Sequence, residues 1–230
     1  MGLSHNPSID MDRLSLYFDG ANVRSYSGTG VTWNDISGYN STAVTTGLTY
    51  VGTGVSSYFS FNGSFSSPVT GIGHLQYSTG PRTVMAWVRP SSTAGWLQVL
   101  GWGTGTGNAA SGLAISNTGK WATFQHNTVA YEGTSAVSNV WVHAAVTQSA
   151  SGINLYINGA STLSNVATVT TNQGAVYIGA SFQDTEKWNG FISKVFFYNK
   201  VLSAGEIKSY FDNTKILYGL GSSGGVTGPQ

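Results

Sequence analysis

Carboxylates are scarce in this chain, and their spacing decides which chemistry they could do. Glutamate occurs only at 132, 186 and 206, and the close acidic pairs are Asp10 with Asp12 and Asp184 with Glu186. A retaining glycosidase needs two carboxyls about 5–5.5 Å apart, a separation that alternate positions on one strand supply. No two glutamates lie four residues apart. Asp184 and Glu186 have an i, i+2 spacing but fall in the loop-like stretch FQDTEKW, and Asp10 and Asp12 fall in a polar, irregular N-terminal stretch. Glu206 is three residues after Ser203, the spacing of a helix capping box, so its carboxylate is assigned to a helix start. Hydrolysis by paired carboxylates is therefore not expected.

Other catalytic chemistries fare no better. The four histidines (His5, His74, His126 and His143) are far apart, and none shows the spacing of a helical zinc site. His143 reads as a hydrogen-bonded structural residue within a strand, and His126 as a residue at a strand end. Serine is abundant, but the one Gly-x-Ser-x-Gly match, Gly221 to Gly225, falls in the Gly/Ser-rich tail and not between a strand and a helix. The chain has no cysteine, which excludes thiol catalysis, disulfides and cysteine-ligated zinc. The formal net charge is +1 with dispersed basic residues, so nucleic-acid binding has no electrostatic basis. The lysines from Lys187 to Lys215 read as a solvated face.

Binding is the chemistry the remaining residues suit. A sugar site needs an aromatic face for stacking and polar groups that fix hydroxyls. Trp96, Trp102, Trp121, Tyr131 and Trp188 flank the loosest loops, and Asn108, Gln125, Asn127 and Asp184 can supply hydrogen bonds. Trp102 and Trp188 each abut a glycine-rich or polar loop and are the expected exposed stacking residues, with Asn108, Asn127 and Asp184 as polar contacts. The competing reading is structural, because a chain with seven tryptophans must bury most of them.

The elements that would position these groups are strands. Gly is frequent (31), only 8% of residues are charged and 13% are aromatic, as in a packed antiparallel fold with many turns. RLSLYFDG places Leu14, Leu16 and Phe18 on one face, and SYFSFNG does the same with Phe59 and Phe61. RTVMAWVRP and GWLQVLGWG read as strands, LAISNTGKWATFQ as a hairpin, and SYSGTGVTWNDISGYNS as a long turn-rich loop. WVHAAVTQSASGINLYINGA is a second hairpin, with Val142, Ala144 and Val146 on one face and Ile153, Leu155 and Ile157 on another. Trp87, Trp141 and Tyr156 then read as packing residues. VLSAGEIKSYFDN is the one clear helix, with Leu202 able to staple against Ile207. Residues 1–12 read as a polar arm, 13–218 as one folded domain, and 219–230 as a flexible Gly/Ser-rich tail.

Taken together and in order, several segments resemble the laminin G-like, concanavalin A-like lectin/glucanase superfamily. They are YFDGANVRSYSGTGVTWNDISG, FSFNG, VMAWVRP, WVHAAVTQSASGINLYINGA and VYIGAS followed by WNGFISKVFFYNKVLSAGEIKSYF. The resemblance implies an all-β, antiparallel jelly-roll β-sandwich with one short C-terminal helix. Its enzymatic members carry a Glu-x-Asp-x-Glu strand, which this chain lacks, so a non-enzymatic role is expected. Many members hold calcium at the sandwich rim, and Asp184, Glu186 and Asn189 are the candidate ligands here. FNGSFSS lacks the acidic pair that often follows that glycine, and FISKVFFYN has Ser193 and Lys194 where Asp-Glu is common.

The opening and the final LYGL look most like versions that bacteriophages encode in virion proteins. That implies a virion surface protein, for capsid decoration or on the tail, partnered by other virion proteins, with cell-surface glycans as weaker ligands. A homo-oligomer is compatible with such a role, and a soluble lectin or carbohydrate-binding module is the alternative. MGLSHNPSIDMDRLSLYF has no apolar run of signal-peptide type and no segment suits a bilayer span, so no membrane contact is expected.

Overall fold

Strands in which every second side chain is apolar are the main elements of this chain, and each needs a second sheet to cover that side. The computed structural model describes residues 9–221. In chain order the strands are β1 (Leu14–Asp19), β2 (Thr32–Asn34), β3 (Thr42–Val44), β4 (Thr49–Val51), β5 (Tyr58–Asn62), β6 (Ser67–Thr70), β7 (Arg82–Pro90), β8 (Leu97–Gly103), β9 (Ala110–Ile115), β10 (Lys120–Gln125), β11 (Val129–Ser135), β12 (Val142–Ser149), β13 (Gly152–Ile157), β14 (Ala160–Asn165), β15 (Ala175–Ile178) and β16 (Asn189–Tyr198), followed by helix α1 (Ala204–Thr214). They form two antiparallel sheets. The first runs β14-β13-β12-β7-β16-β5-β4 with β1 also on β16, and the second runs β11-β10-β9-β8-β15-β6-β3-β2. This is the expected all-β sandwich with one short helix.

The space between the sheets holds one apolar core. Val142, Ala144, Val146, Ile153 and Leu155 of the 141–160 hairpin face into it, as do Phe59, Phe61, Trp102, Trp121 and Trp188. Gln148 of β12 crosses the same core and donates to Ser111 (2.9 Å) and Thr123 (2.8 Å) of the opposite sheet, which fixes the two sheets' relative position. Arg82, buried at the core's end, meets oxygens through its two Nη atoms, while its Nε is buried without a partner. It donates to Thr171 Oγ1 (2.7 Å) and the carbonyls of Ser78 (2.7 Å), Gln76 (3.1 Å) and Val169 (3.3 Å), and burial pushes its guanidinium down to about 10.

A second apolar layer lies outside the first sheet, under α1. The helix starts with the expected capping box of Ser203 and Glu206, and Leu202 and Ile207 both pack into this layer. Trp87 stacks on Tyr218 at 4.0 Å and donates its Nε1–H to Thr214 Oγ1 at 3.0 Å. Trp87 and Tyr156 are buried as expected, and Trp141 is half-buried. His143 is also buried here, between Trp87 and Tyr210. Contrary to the expectation of a hydrogen-bonded residue, neither of its ring nitrogens has a partner, and the rings of Trp87, Tyr210 and Phe211 pack against it.

Three further expectations need correction. Leu14 does not share a face with Leu16 and Phe18: a bulge at Ser15 turns it into the outer layer, while Leu16 and Phe18 join the main core. The stretch 25–41 is not all loop, since β2 carries Trp33 into the core. Lys194 is not on a solvated face. Its Nζ lies 2.6 Å from Asp19 Oδ2, both side chains are nearly buried, and Tyr17 donates to the same oxygen at 2.7 Å.

Residues 9–12 of the expected arm turn back on the body, where Lys200 bonds Asp10 and Asp12. Residues 1–8 and 222–230, which hold the rest of that arm and most of the expected tail, lie outside the described residues. No helix among the described residues is long and apolar enough to cross a membrane.

Candidate functional site

The outer face of the second sheet is built to be approached closely. Gly101 of β8 faces Gly112 of β9, and Ala114 lies between Gln98 and Ala122. A Cβ on Gly101 would sit 2.7 Å from Ala180 O, Phe182 N and Ser181 Cα, so the loop from Gly179 to Trp188 rests directly on this strand. Backbone hydrogen bonds hold the loop there, from Gly179 N to Val99 O (2.8 Å), Gln98 N to Glu186 O (3.0 Å) and Ser181 N to Thr185 O (2.8 Å). The loop covers only part of the face.

Between it and the β10–β11 hairpin lies a cleft of about 360 Å³. Its aromatic walls are Trp96, Phe124 and Phe182, with Trp96 edge-on to Phe124 at 5.6 Å. Asn127, Thr128 and Gln183 are exposed on its rim. His126 stands edge-on to Phe182 at 4.6 Å, with a buried and unpartnered Nδ1. Glu186 is the one carboxylate of the lining, and it accepts from Gln98 Nε2, whose own Oε1 is buried without a partner. Gln125 also lines the cleft, but its amide is committed: it donates to Asn108 O and Thr170 O and accepts from Thr170 N. The cleft thus offers a half-buried indole, two phenyl walls and several free polar groups, and no second acid.

The expected ligand residues separate on this map. Trp102 and Trp188 are corrected: both are wholly buried. Trp102 shares a face with Leu100 and meets Phe197 at 5.8 Å, and Trp188 meets Trp121 at 6.3 Å, so neither presents a ring to a ligand. Strand parity, not the neighbouring glycines, sets where a tryptophan points. Trp96, just before β8, is the half-buried indole at the cleft. Asn127 lies on the rim as expected, while Asn108 contributes its carbonyl to the Gln125 clamp from outside the cleft. Both asparagines have left-handed backbones (φ 53° and 57°), which Asn adopts readily, so turn geometry accounts for much of their placement. Glu186 (φ 50°) has no such tolerance and is held there by the loop.

Asp184, Glu186 and Asn189 do not fit a calcium cage. Asp184 is not part of the cleft lining. Burial would raise its carboxyl, but Lys187 at 2.7 Å and the Ser66 hydroxyl outweigh that and hold it below the usual carboxylate range. Glu186 turns to Gln98, and Asn189 opens β16, paired with Asn62. Calcium takes six to eight oxygens, usually with more than one carboxylate. Among the described residues no three His, Cys, Asp or Glu side chains converge.

A family model described as the concanavalin A-like lectin/glucanases superfamily matches residues 62–208. The chain belongs to that superfamily. The match runs from the end of β5 into α1 and takes in both sides of the cleft. No curated protein sequence matches the chain. Among solved structures, the fold is similar to a Trypanosoma rangeli sialidase in complex with the inhibitor DANA (TM-score 0.66, 19% identity, covering 86% of this chain and 32% of that one). It is also similar to domain 4 of a GH43 extracellular arabinanase from Geobacillus stearothermophilus in complex with arabinotriose (TM-score 0.64, 15% identity, 85% of this chain and 97% of that one). A third is the binding domain of botulinum neurotoxin DC in complex with rat synaptotagmin II (TM-score 0.65, 14% identity, 88% and 52%). The chain spans about a third of the sialidase's length, and likeness at these identities concerns the fold.

Proposed function

We propose that this chain is a non-enzymatic carbohydrate-binding sandwich displayed on a virion surface, with its sugar site in the cleft beside Trp96. The observation that carries the sugar reading is the lining: an accessible indole and two phenyl walls, with the amides of Asn127 and Gln183 exposed at the rim beside Thr128, whose hydroxyl donates to His126 O. A sugar ring would stack on Trp96 while its hydroxyls meet the rim amides. A single carboxylate, Glu186, supports binding over hydrolysis, since both glycosidase geometries use a pair. The arabinanase domain supports the same reading, being an isolated sandwich of matching extent whose complex holds arabinotriose. The virion placement rests on the resemblance of the opening segment and the LYGL end to phage-encoded versions.

A glycan array probed with the protein, followed by titration of any hit, tests the sugar site. Trp96→Ala should weaken a confirmed ligand by about tenfold or more while the thermal unfolding curve stays cooperative. Absence of array binding at high micromolar protein sinks the sugar reading. Mass spectrometry of purified particles tests the placement, and a chain missing from them ends it.

A further inference from the structure

The outer face of the first sheet, on the opposite side of the sandwich from the cleft, carries a second group of partly exposed aromatics around a cation. Arg89 near the end of β7 pairs across the sheet with Phe191 of β16. Its Cζ lies 4.2 Å from the Phe191 ring centroid, 5.7 Å from Trp141 and 5.9 Å from Tyr58. Tyr58 in turn stands edge-on to Phe191 at 5.0 Å and to Trp141 at 5.5 Å, so the three rings form one box. All four side chains are half-buried.

Arg89 differs from the other buried guanidinium in having no oxygen acceptor among the described residues. The ion pairs among the described residues are all made by lysines, and the other buried guanidinium, Arg82, has four oxygen acceptors. Arg89 has no carboxylate partner among them; its Nε–H is buried and unpartnered, as is that of Arg82, so the donors it can offer a ligand are those of its two Nη atoms. Aromatic rings satisfy the face of a guanidinium but leave its N–H donors, which lie in its plane. A half-buried cation with unused in-plane donors fits one acceptor geometry best, the two parallel oxygens of a carboxylate. The flanking rings add apolar faces on which a pyranose can lie.

We infer that Arg89, Tyr58, Trp141 and Phe191 form a binding site for a carboxylate-bearing sugar, a uronic or a sialic acid, independent of the cleft. The carboxylate pairs with the edge of Arg89, and the sugar ring packs on the aromatic box.

The test is a titration of the ¹⁵N-labelled protein followed by NMR, with the Trp141 indole signal assigned from Trp141→Phe. The probes are D-glucuronate, N-acetylneuraminate, methyl glucoside and acetate. At least one acidic sugar should shift that signal saturably, and which one does identifies the sugar class. Methyl glucoside and acetate should bind about tenfold more weakly or worse, since each lacks half of the recognition. Arg89→Met should abolish the shift. Arg89→Lys keeps the charge and loses the fork, should weaken binding by about tenfold, and serves alone if Arg89→Met does not fold. Trp96→Ala should leave the acidic-sugar response unchanged, which separates this site from the cleft. No saturable shift with either acidic sugar, equal binding of acetate, or an unchanged response in Arg89→Lys overturns the proposal.

Discussion

The two outer faces of the sandwich both gather aromatic residues, yet a helix seals much of one and only a loop covers part of the other. Over the first sheet, α1 and the turn Lys215–Tyr218 lay Ile207, Tyr210, Phe211 and Tyr218 onto the strands, and Trp87 and His143 disappear beneath them. Over the second sheet, the cover is a single loop held by backbone hydrogen bonds and one buried ring, Phe182. A capped helix with apolar residues at helical spacing covers a broad strip of sheet. A loop reaches only as far as its backbone bonds take it, so beside it the sheet stays accessible and the cleft exists. Stability is concentrated where α1 covers the first face, and the cleft lies where the loop leaves the second face uncovered.

That contrast can be broken at several points. The largest effect is expected at Trp87. Trp87→Ala removes a fully buried indole and its bond to Thr214, and should cost about 3–5 kcal/mol in urea unfolding. It should leave sugar binding at the cleft intact in any molecule that remains folded.

The next effect is a pH dependence from His143. Burial pushes its imidazole down to about 3, well below the ordinary 6.5. As pH falls from about 6.5, the unfolded chain takes up a proton that the folded chain refuses, so stability drops with falling pH through this window. The loss between pH 7 and pH 4 should be on the order of 3 kcal/mol, and thermal melts across that range should show it. His143→Phe should flatten the profile, and a variant as acid-sensitive as the parent would remove the sealed-face explanation.

Gly101→Ala probes the open face. Its Cβ would collide with backbone atoms of Ala180, Ser181 and Phe182, so the loop must lift. The expected cost is about 1–3 kcal/mol, with cleft binding lost out of proportion to it. Equal sugar affinity in this variant would show that the loop does not shape the site. The smallest effect is expected at Glu186→Gly. Releasing its left-handed backbone is offset by leaving Gln98 Nε2 without its acceptor, so the thermal melt should change by less than about 1 kcal/mol, while the cleft loses its one carboxylate.

What could be read directly from the residues was local. Alternation assigned Phe59, Phe61, Val142, Ala144 and Val146 to the core, and the spacing of Ser203 and Glu206 fixed the start of α1. These signals survive because strand parity and helix capping depend on neighbours within a few residues. The scarcity and spacing of carboxylates gave the expectation of binding without hydrolysis, and the ordered motifs pointed to the superfamily.

The site was legible only in part. Trp96, Gln125 and Asn127 were among the aromatic and polar candidates, but Trp102 and Trp188 drew attention because glycines and polar residues flank them. Whether an indole at a strand end points into the core or out depends on register, and one bulge, such as that between Gln98 and Leu100, reverses it. The left-handed turns at Asn108, Asn127, Asp184 and Glu186 mimic a polar site in sequence, since turns and sugar sites favour similar residues. Composition and periodicity pointed to a packed antiparallel fold, and the resemblance of the ordered motifs implied the sandwich. Only the tertiary structure decided which face was left open, because that depends on how far a helix and a loop, distant in sequence, each reach across a sheet.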